Sequence, residues 1–142
     1  MRGENLHLTL MFLGDTPAAR LAELLALGAA QPPFRCVVRL ERAECWKHNR
    51  VAVLCPGDCD QALVRLLNGL QQDLDAAGLR FDRRPWRPHA TLLRGARCAA
   101  DALPMEPVEW RASGFALLAS RQEASGMRYE VLGHWGGSGA LS

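Results

Sequence analysis

The sequence of 142 residues contains no long apolar run, little net charge and no paired cysteine motif. No segment approaches the length of a membrane span, and no signal-peptide pattern precedes the first motif. The cysteines are odd in number and include no Cys-x-x-Cys pair, so they indicate neither a zinc site nor a disulfide framework. We therefore expect reduced thiols, in a cytoplasmic protein, at all five: Cys36, Cys45, Cys55, Cys59 and Cys98.

The composition is that of one globular domain, with 49% hydrophobic and 23% charged residues. A chain of this length buries a core without help from a metal or a disulfide. The net charge of +2 conceals a local cluster of arginines. On a weakly charged chain, such a basic rim favours a phosphate-bearing ligand over general coating of nucleic acid, although a solvated loop would explain any single one of them. The cluster comprises Arg80, Arg83, Arg84, Arg87 and Arg94.

Two helices are predicted from leucines at helical spacing. The first follows Asp15 and Thr16, which can cap it, and Pro17, which suits a first turn; Gly28 can terminate it. The second, and the strongest pattern in the chain, begins at Asp58 or Asp60 and ends at Gly78. Its apolar stripe consists of Leu63, Leu66, Leu67, Leu70 and Leu74.

Alternating apolar residues predict strands at 6–13, 34–40, 50–55, 108–120 and 127–132, with a further strand over 88–94. Gly114 marks a possible bulge. The segments 41–49 and 95–107 are predicted to be links, the second with room for a short helix. The segment 79–87 is predicted to be a basic loop or an irregular strand. The tail at 136–142 is rich in glycine and serine and should fray. The order β-α-β-β-α-β-β-β predicts an α+β fold with helices on the outer faces of the sheets.

Two short motifs carry the chemistry of this chain. His7 and Thr9 stand in one, and His89 and Thr91 stand in the other, each as His-x-Thr followed by leucine. Side chains alternate along a strand, so each histidine shares a face with its threonine. A single His-x-Thr is usually structural, but two copies on predicted strands are improbable by accident. The remaining histidines, His48 and His134, have no such partners and are predicted to be surface or structural residues.

Two histidines can act as acid and base on opposite sides of one phosphorus centre. The threonine hydroxyls can donate hydrogen bonds to the non-bridging phosphate oxygens. This chemistry needs no metal and suits a strained cyclic phosphodiester. A di-histidine metal site is the alternative, but threonine is a poor ligand and no carboxylate accompanies either histidine.

The segments 6–14 and 87–94 resemble the two signatures of the 2H phosphoesterase superfamily. Within it they are most similar to the bacterial RNA 2′,3′-cyclic phosphodiesterases, historically called 2′-5′ RNA ligases. The resemblance covers nearly the whole chain, with counterparts for 34–40, Trp46, 50–54, the long helix, 84–86 and 128–130.

The resemblance implies a two-lobed 2H phosphoesterase fold, with antiparallel sheets around a central cleft and one His-x-Thr motif from each lobe. Together with the glycine and serine content of 136–142, it implies one domain over 1–135 and a flexible tail over 136–142. It also implies hydrolysis of RNA 2′,3′-cyclic phosphate ends to 2′-phosphates, reversible 2′-5′ joining, RNA ends or nucleotides as partners, and no cofactor or metal. His89 would activate water and His7 would protonate the leaving 3′ oxygen, with Thr9 and Thr91 completing the catalytic set.

Three further residues are candidates for contact with the substrate. Arg94 would bind phosphate or RNA, although strand parity places it off the catalytic face. Phe12 and Trp86 would stack on a base, unless they pack in the core or a loop.

Members of the family carry a strand and a helix ahead of the first motif, which are not seen in this sequence. We therefore expect exposed apolar surface on one lobe of a monomer, which a second copy of the chain could cover. The rival hypothesis is a non-catalytic nucleotide- or RNA-binding module of the same fold. Metal-dependent hydrolysis is a third.

Overall fold

Two antiparallel sheets and two α-helices make up residues 6–98 and 102–137, the part of the chain that the computed structural model describes. The predicted α+β class is confirmed. One sheet has the strand order β3-β2-β1-β4, and the other is the β5-β6 hairpin. The elements are α1 (Leu21–Ala29), β1 (Cys36–Trp46), β2 (Val51–Pro56), α2 (Gln61–Ala76), β3 (Ala90–Arg94), β4 (Ala102–Ala112), β5 (Gly114–Glu123) and β6 (Gly126–Gly136).

Helix α2 follows the predicted pattern closely. The Asp60 carboxylate caps it by accepting the Ala62 N–H at 2.9 Å. After the helix, Gly78 takes a positive φ of 68°, and the Leu79 N–H donates back to the Leu74 carbonyl at 2.9 Å. Three leucines of its apolar stripe, Leu63, Leu66 and Leu70, pack against alternate residues at the start of β1. These residues are Cys36, Val38 and Leu40. This contact forms the larger core of the protein.

Helix α1 is confirmed, but its ends differ from the prediction. A 3₁₀ turn at Ala18–Arg20 leads into it, Pro17 occupies the cap position, and no side chain caps it. Gly28 does not terminate the helix, which continues to Ala29. Gly28 is instead buried where α1 meets the β5-β6 hairpin. The close approach requires glycine, because a Cβ there would lie 2.6 Å from the ring of Trp135.

Replacing Gly28 with alanine should destabilise the protein, although alanine is the better helix former. Helix propensity favours alanine by about 1 kcal/mol, whereas overpacking a core costs about 1–3 kcal/mol. We expect a net loss of up to about 2 kcal/mol in urea unfolding. Gly69→Ala is the matched control, because a Cβ there meets only the flexible end of Gln31 at 3.0 Å. A Gly28→Ala protein as stable as the control would contradict the packing.

Several strand boundaries were predicted wrongly. The segment 6–13 forms no strand and makes one isolated bridge, from Leu8 to Ala90. Part of the predicted 41–49 link belongs to strand β1. Here β1 is paired on both sides, because Glu44 pairs with Val53 of β2 and with Ala102 of β4. For the same reason β4 covers part of the predicted 95–107 loop. The predicted 108–120 strand divides between β4 and β5, and the last strand runs on to Gly136. Of the predicted tail, 138–142 lies outside the described residues.

A β-bulge in β1 exchanges the faces of its two halves. Leu40 pairs with Pro56 and Arg42 with Cys55, so Glu41 is the extra residue. Val38 and Leu40 face α2 before the bulge. After it, Glu44 and Trp46 pair with Val53 and Val51, which form a separate cluster on the face opposite α2. One inserted residue is enough for this exchange, because side chains alternate with a period of two.

A second bulge, at Leu92 in β3, has the same effect. Thr91 pairs with Val53 and Arg94 pairs with Val51, which leaves Leu92 as the extra residue. Paired residues of an antiparallel ladder point to the same face. Arg94 therefore shares the face of Thr91, opposite α2. The expectation from strand parity, which placed Arg94 off this face, was wrong.

The β5-β6 hairpin forms the core of a second lobe with α1. Trp135 packs beside Gly28 of α1, and Phe115 pairs with Trp135 on the same face. A register shift after Leu117 and the pairing of Ser120 with Tyr129 put Tyr129 on the opposite face. Each sheet thus carries one helix on one face, as predicted.

The prediction of five reduced thiols was wrong for two of them, because Cys45 and Cys98 form a disulfide across 53 residues of sequence. The cause is tertiary. The Ala96 N–H donates to the Arg50 carbonyl at 2.8 Å, which draws the chain after β3 back over the β1-β2 turn and towards Cys45. Cys36, Cys55 and Cys59 are free thiols.

Among the described helices, none is both long and apolar enough to cross a bilayer.

Candidate active site

The segment of the first motif is held by contacts to the second motif and to the loop before it. Leu8 bridges to Ala90 in antiparallel fashion. The indole N–H of Trp86 donates to the Thr9 carbonyl at 3.0 Å, and the Asp82 N–H donates to the Phe12 carbonyl at 2.8 Å. These bonds serve the backbone groups that a regular strand would use, so the segment is ordered without being a strand.

The Leu8–Ala90 bridge brings the four predicted residues together. In an antiparallel bridge, the residues on either side of one partner lie beside those flanking the other. Leu8 packs against the α2 core and Ala90 is only 5% exposed, so the side chains next to them point the opposite way. The flanking residues are His7, Thr9, His89 and Thr91. All four are at least partly accessible.

His7 lies between the two sheets. Its ring meets the ring of Tyr129 edge to face, with centroids 4.9 Å apart. Tyr129 belongs to β6 and lies on the hairpin face opposite α1. The second lobe therefore contributes an aromatic wall to the site beside the first histidine.

His89 is fixed by two contacts on the first lobe. Its ring centroid lies 4.5 Å from the centroid of Trp46. Its Nδ1 lies 2.9 Å from the Arg87 carbonyl oxygen. A carbonyl can only accept, so Nδ1 carries the proton of this bond and Nε2 is left for a substrate.

Glu44 stands at the centre of a polar cluster beside His89, and sequence reasoning missed it. Its side chain is only 14% exposed. It accepts the indole N–H of Trp46 at 2.9 Å and pairs with Arg87 at 2.8 Å and Arg42 at 3.4 Å. The Trp46 hydrogen bond, followed by the charges of Arg87 and Arg42, lowers the pKa of Glu44. The carboxylate is therefore ionised at neutral pH.

Cys55 lies beside this cluster on the neighbouring strand. Burial, followed by the charge of Glu44, raises the pKa of its thiol to about 11. The thiol is consequently protonated at neutral pH and is a weak nucleophile. Cys55 therefore contributes packing beside this cluster and not reactivity.

The family model of the 2′-5′ RNA ligase superfamily matches residues 1–124. The chain belongs to this superfamily. Among curated proteins, the RNA 2′,3′-cyclic phosphodiesterase of Escherichia coli (strain K12) is 35% identical over 136 residues, covering 93% of this chain and 76% of the relative. The protein of the same name from Thermus thermophilus is 32% identical over 142 residues, covering 89% and 69%.

Solved structures agree with this membership of the superfamily. The crystal structure of E. coli LigT complexed with 3′-AMP has a TM-score of 0.82 and 31% identity, covering 95% of this chain and 78% of that one. The similarity therefore extends over both lobes. It confirms the fold that the two motifs predict.

The three predicted substrate residues of this superfamily member lie in different environments. Arg94 is exposed on the face of Thr91 and has no ion pair or hydrogen bond to another described residue. Phe12 is 63% exposed. Trp86 is half-buried, packs against the α2 core and donates to Thr9, so it clamps the first motif in place. Their contacts with a substrate stay predictions.

Most of the predicted basic rim is neutralised within the described chain. Arg83 pairs with Asp75, and Arg84 pairs with Asp82. Arg84 also lowers the pKa of Asp82 to about 2 by hydrogen bonding. With Arg87 paired to Glu44, the members of this basic rim that have no ion pair to another described residue are Arg94 and Arg80.

The remaining titratable groups include no candidate metal site within the described residues. No group of three or more His, Cys, Asp and Glu side chains there is placed to hold a metal ion. His48 and His134 are exposed, as predicted. His48 also stacks on Trp46, with ring centroids 6.3 Å apart.

Proposed function

We propose that this protein is an RNA 2′,3′-cyclic phosphodiesterase, which opens a cyclic phosphate end to a 2′-phosphate. The observation that carries the proposal is the Leu8–Ala90 bridge, which sets both His-x-Thr motifs on one face. Supporting it, two relatives at 32–35% identity bear the name of this activity, and a similar solved structure holds 3′-AMP.

The proposed step is one displacement at phosphorus. His89 Nε2 takes a proton from water as the water oxygen bonds to phosphorus. The P–O3′ bond breaks, and His7 gives a proton to the departing 3′ oxygen. The products are a 2′-phosphate and a free 3′ hydroxyl. The Thr9 and Thr91 hydroxyls donate to the non-bridging oxygens, where charge builds up. With a 5′ hydroxyl in place of water as the nucleophile, the same step joins two RNA ends through a 2′-5′ bond, and its reverse cleaves that bond.

The deciding experiment follows the product formed from a short RNA that ends in a 2′,3′-cyclic phosphate, with a chelator present. We expect the 2′-phosphate to be the only product, formed at the same rate with and without the chelator. Loss of the activity with chelator would indicate metal-dependent hydrolysis. A folded protein that binds the RNA without turnover would sink the proposal and identify a binding module. A 3′-phosphate product would reverse the assignment of the leaving oxygen.

Arg94 is proposed to bind the phosphate or RNA backbone, and Phe12 and Trp86 to contact a base. Arg94→Ala should raise KM about tenfold with little change in kcat, because a charge-assisted hydrogen bond to phosphate contributes roughly 1.5 kcal/mol or more. Arg111→Ala is the matched control, since Arg111 is exposed on β4 and pairs with Glu109 at 3.4 Å. Equal KM values for the two variants in initial-rate assays would remove Arg94 from the substrate site.

We further propose one domain over 1–135 with a flexible tail at 136–142, acting as a monomer in the cytoplasm. Exposed apolar side chains such as Val131 and Met127 on the hairpin would mark the surface for a second copy if the protein self-associates. Sedimentation velocity over a range of concentrations distinguishes monomer from dimer. Cell fractionation tests the compartment, and proteolysis that spares the tail would contradict the domain boundary.

A further inference from the structure

The carboxylate of Glu44 is connected to His89, the proposed general base, by two separate series of contacts, which we call routes. Glu44 accepts the Trp46 indole N–H at 2.9 Å, and the ring of Trp46 lies 4.5 Å from the ring of His89. Glu44 also holds the Arg87 guanidinium at 2.8 Å, and the Arg87 carbonyl oxygen lies 2.9 Å from His89 Nδ1. Both routes begin at one side chain, which is only 14% exposed, and end on one imidazole.

The two routes restrain different motions of His89. The ring of Trp46 limits how far the imidazole can tilt, and the Arg87 carbonyl limits its rotation and selects the Nδ1–H form. Arg87 also lies over the Trp46 ring, 4.4 Å from its centroid, which links the routes. Without an anchored guanidinium, the backbone at Arg87 would be held only by its neighbours in an irregular loop.

We propose that Glu44 is a positioning residue, which holds His89 through Trp46 and Arg87 so that Nε2 is presented to the cyclic phosphate. The inference deepens the proposed function and rests on it. It also gives a reason for a carboxylate near a phosphate site. Glu44 neutralises Arg87, so that Arg87 serves the histidine and leaves the phosphate to other groups.

Three variants separate the two routes. Glu44→Gln keeps an oxygen that accepts from Trp46 but lacks the charge that holds Arg87. Glu44→Ala removes both routes, and Arg87→Ala removes one. Glu109→Ala is the matched control, because it breaks an ion pair with Arg111 on β4 that does not reach His89.

With a mononucleoside 2′,3′-cyclic phosphate as substrate, we expect kcat to fall in the order wild type, Glu44→Gln, Glu44→Ala. The loss for Glu44→Ala should be about tenfold to a hundredfold, because misplacing a reacting group by about 1 Å costs up to about a hundredfold. KM should change less than about twofold. Equal kcat for Glu44→Ala and Glu109→Ala would overturn the proposal. A raised KM with unchanged kcat in Arg87→Ala would also overturn it, because Arg87 would then be a substrate contact.

A second readout is independent of turnover. Nitrogen-15 NMR of labelled histidine reports which ring nitrogen of His89 carries the proton. We expect the Nδ1–H form in the wild type and a mixture of tautomers in Glu44→Ala, with the signals of His134 unchanged as the internal control. Unchanged His89 signals would refute the positioning role. If the wild type shows no turnover but Glu44→Ala still changes the tautomer of His89, the proposed function is refuted and the positioning role stands.

Discussion

His7→Ala and His89→Ala should each lower kcat for the cyclic phosphate RNA by at least about a thousandfold. General acid and base catalysis each contribute about 10²–10⁴-fold, and each variant removes one partner of a coupled proton transfer. Since the two act in one step, the double variant should be little worse than the worse single variant. Single-turnover assays with saturating protein measure the loss in the chemical step directly.

His134→Ala is the matched control for these variants, because His134 is exposed on β6 and is no part of the proposed site. It should keep wild-type kcat. Each variant should also unfold at the wild-type urea concentration, since neither histidine is fully buried. Retention of a tenth or more of wild-type kcat by either His7→Ala or His89→Ala would exclude that residue from proton transfer.

The Cys45→Ser/Cys98→Ser double variant should lose about 4 kcal/mol of unfolding free energy relative to the oxidised protein. The bond spans 53 residues of sequence, and closing a long loop lowers the entropy of the unfolded chain. For a chain of this size, we expect the melting temperature to fall by about 10–15 °C. Calorimetry of the oxidised protein and the double variant measures the difference.

The reduced wild type should have the melting temperature of the double variant, whereas Cys59→Ser should have that of the oxidised protein. Cys59 is the suitable control because it is a free, partly exposed thiol. Identical melting of oxidised and reduced wild type would show that the bond adds nothing to stability. Because thiols are mostly reduced in the cytoplasm, where we propose that the protein acts, the activity of both forms should be assayed.

Local patterns determined the α2 helix and its ends. Five leucines at helical spacing need one apolar surface, and Asp60 and Gly78 supply the cap and the left-handed residue that any such helix uses. These features depend on residues close in sequence, so they could be predicted. The same holds for the two His-x-Thr motifs, whose spacing of two puts both functional groups on one side of an extended segment.

Patterns failed where the chain depends on distant partners. The first motif is predicted to be a strand, but its segment makes hydrogen bonds to Trp86 and Asp82 in a loop some 70 residues away, and no regular strand forms. The Cys45–Cys98 bond depends on the path of the chain after β3. Nothing adjacent to either cysteine indicates it.

The sequence by itself determined the α+β class, the superfamily and the two histidine–threonine pairs. Only the tertiary structure decided which other residues join them. Periodicity relates side chains along an uninterrupted strand, and the bulges at Glu41 and Leu92 each shift that relation by one residue. Glu44, Trp46 and Arg94 reach the face of the site for this reason, because a bulge is set by pairing with neighbouring strands and not by the strand that contains it.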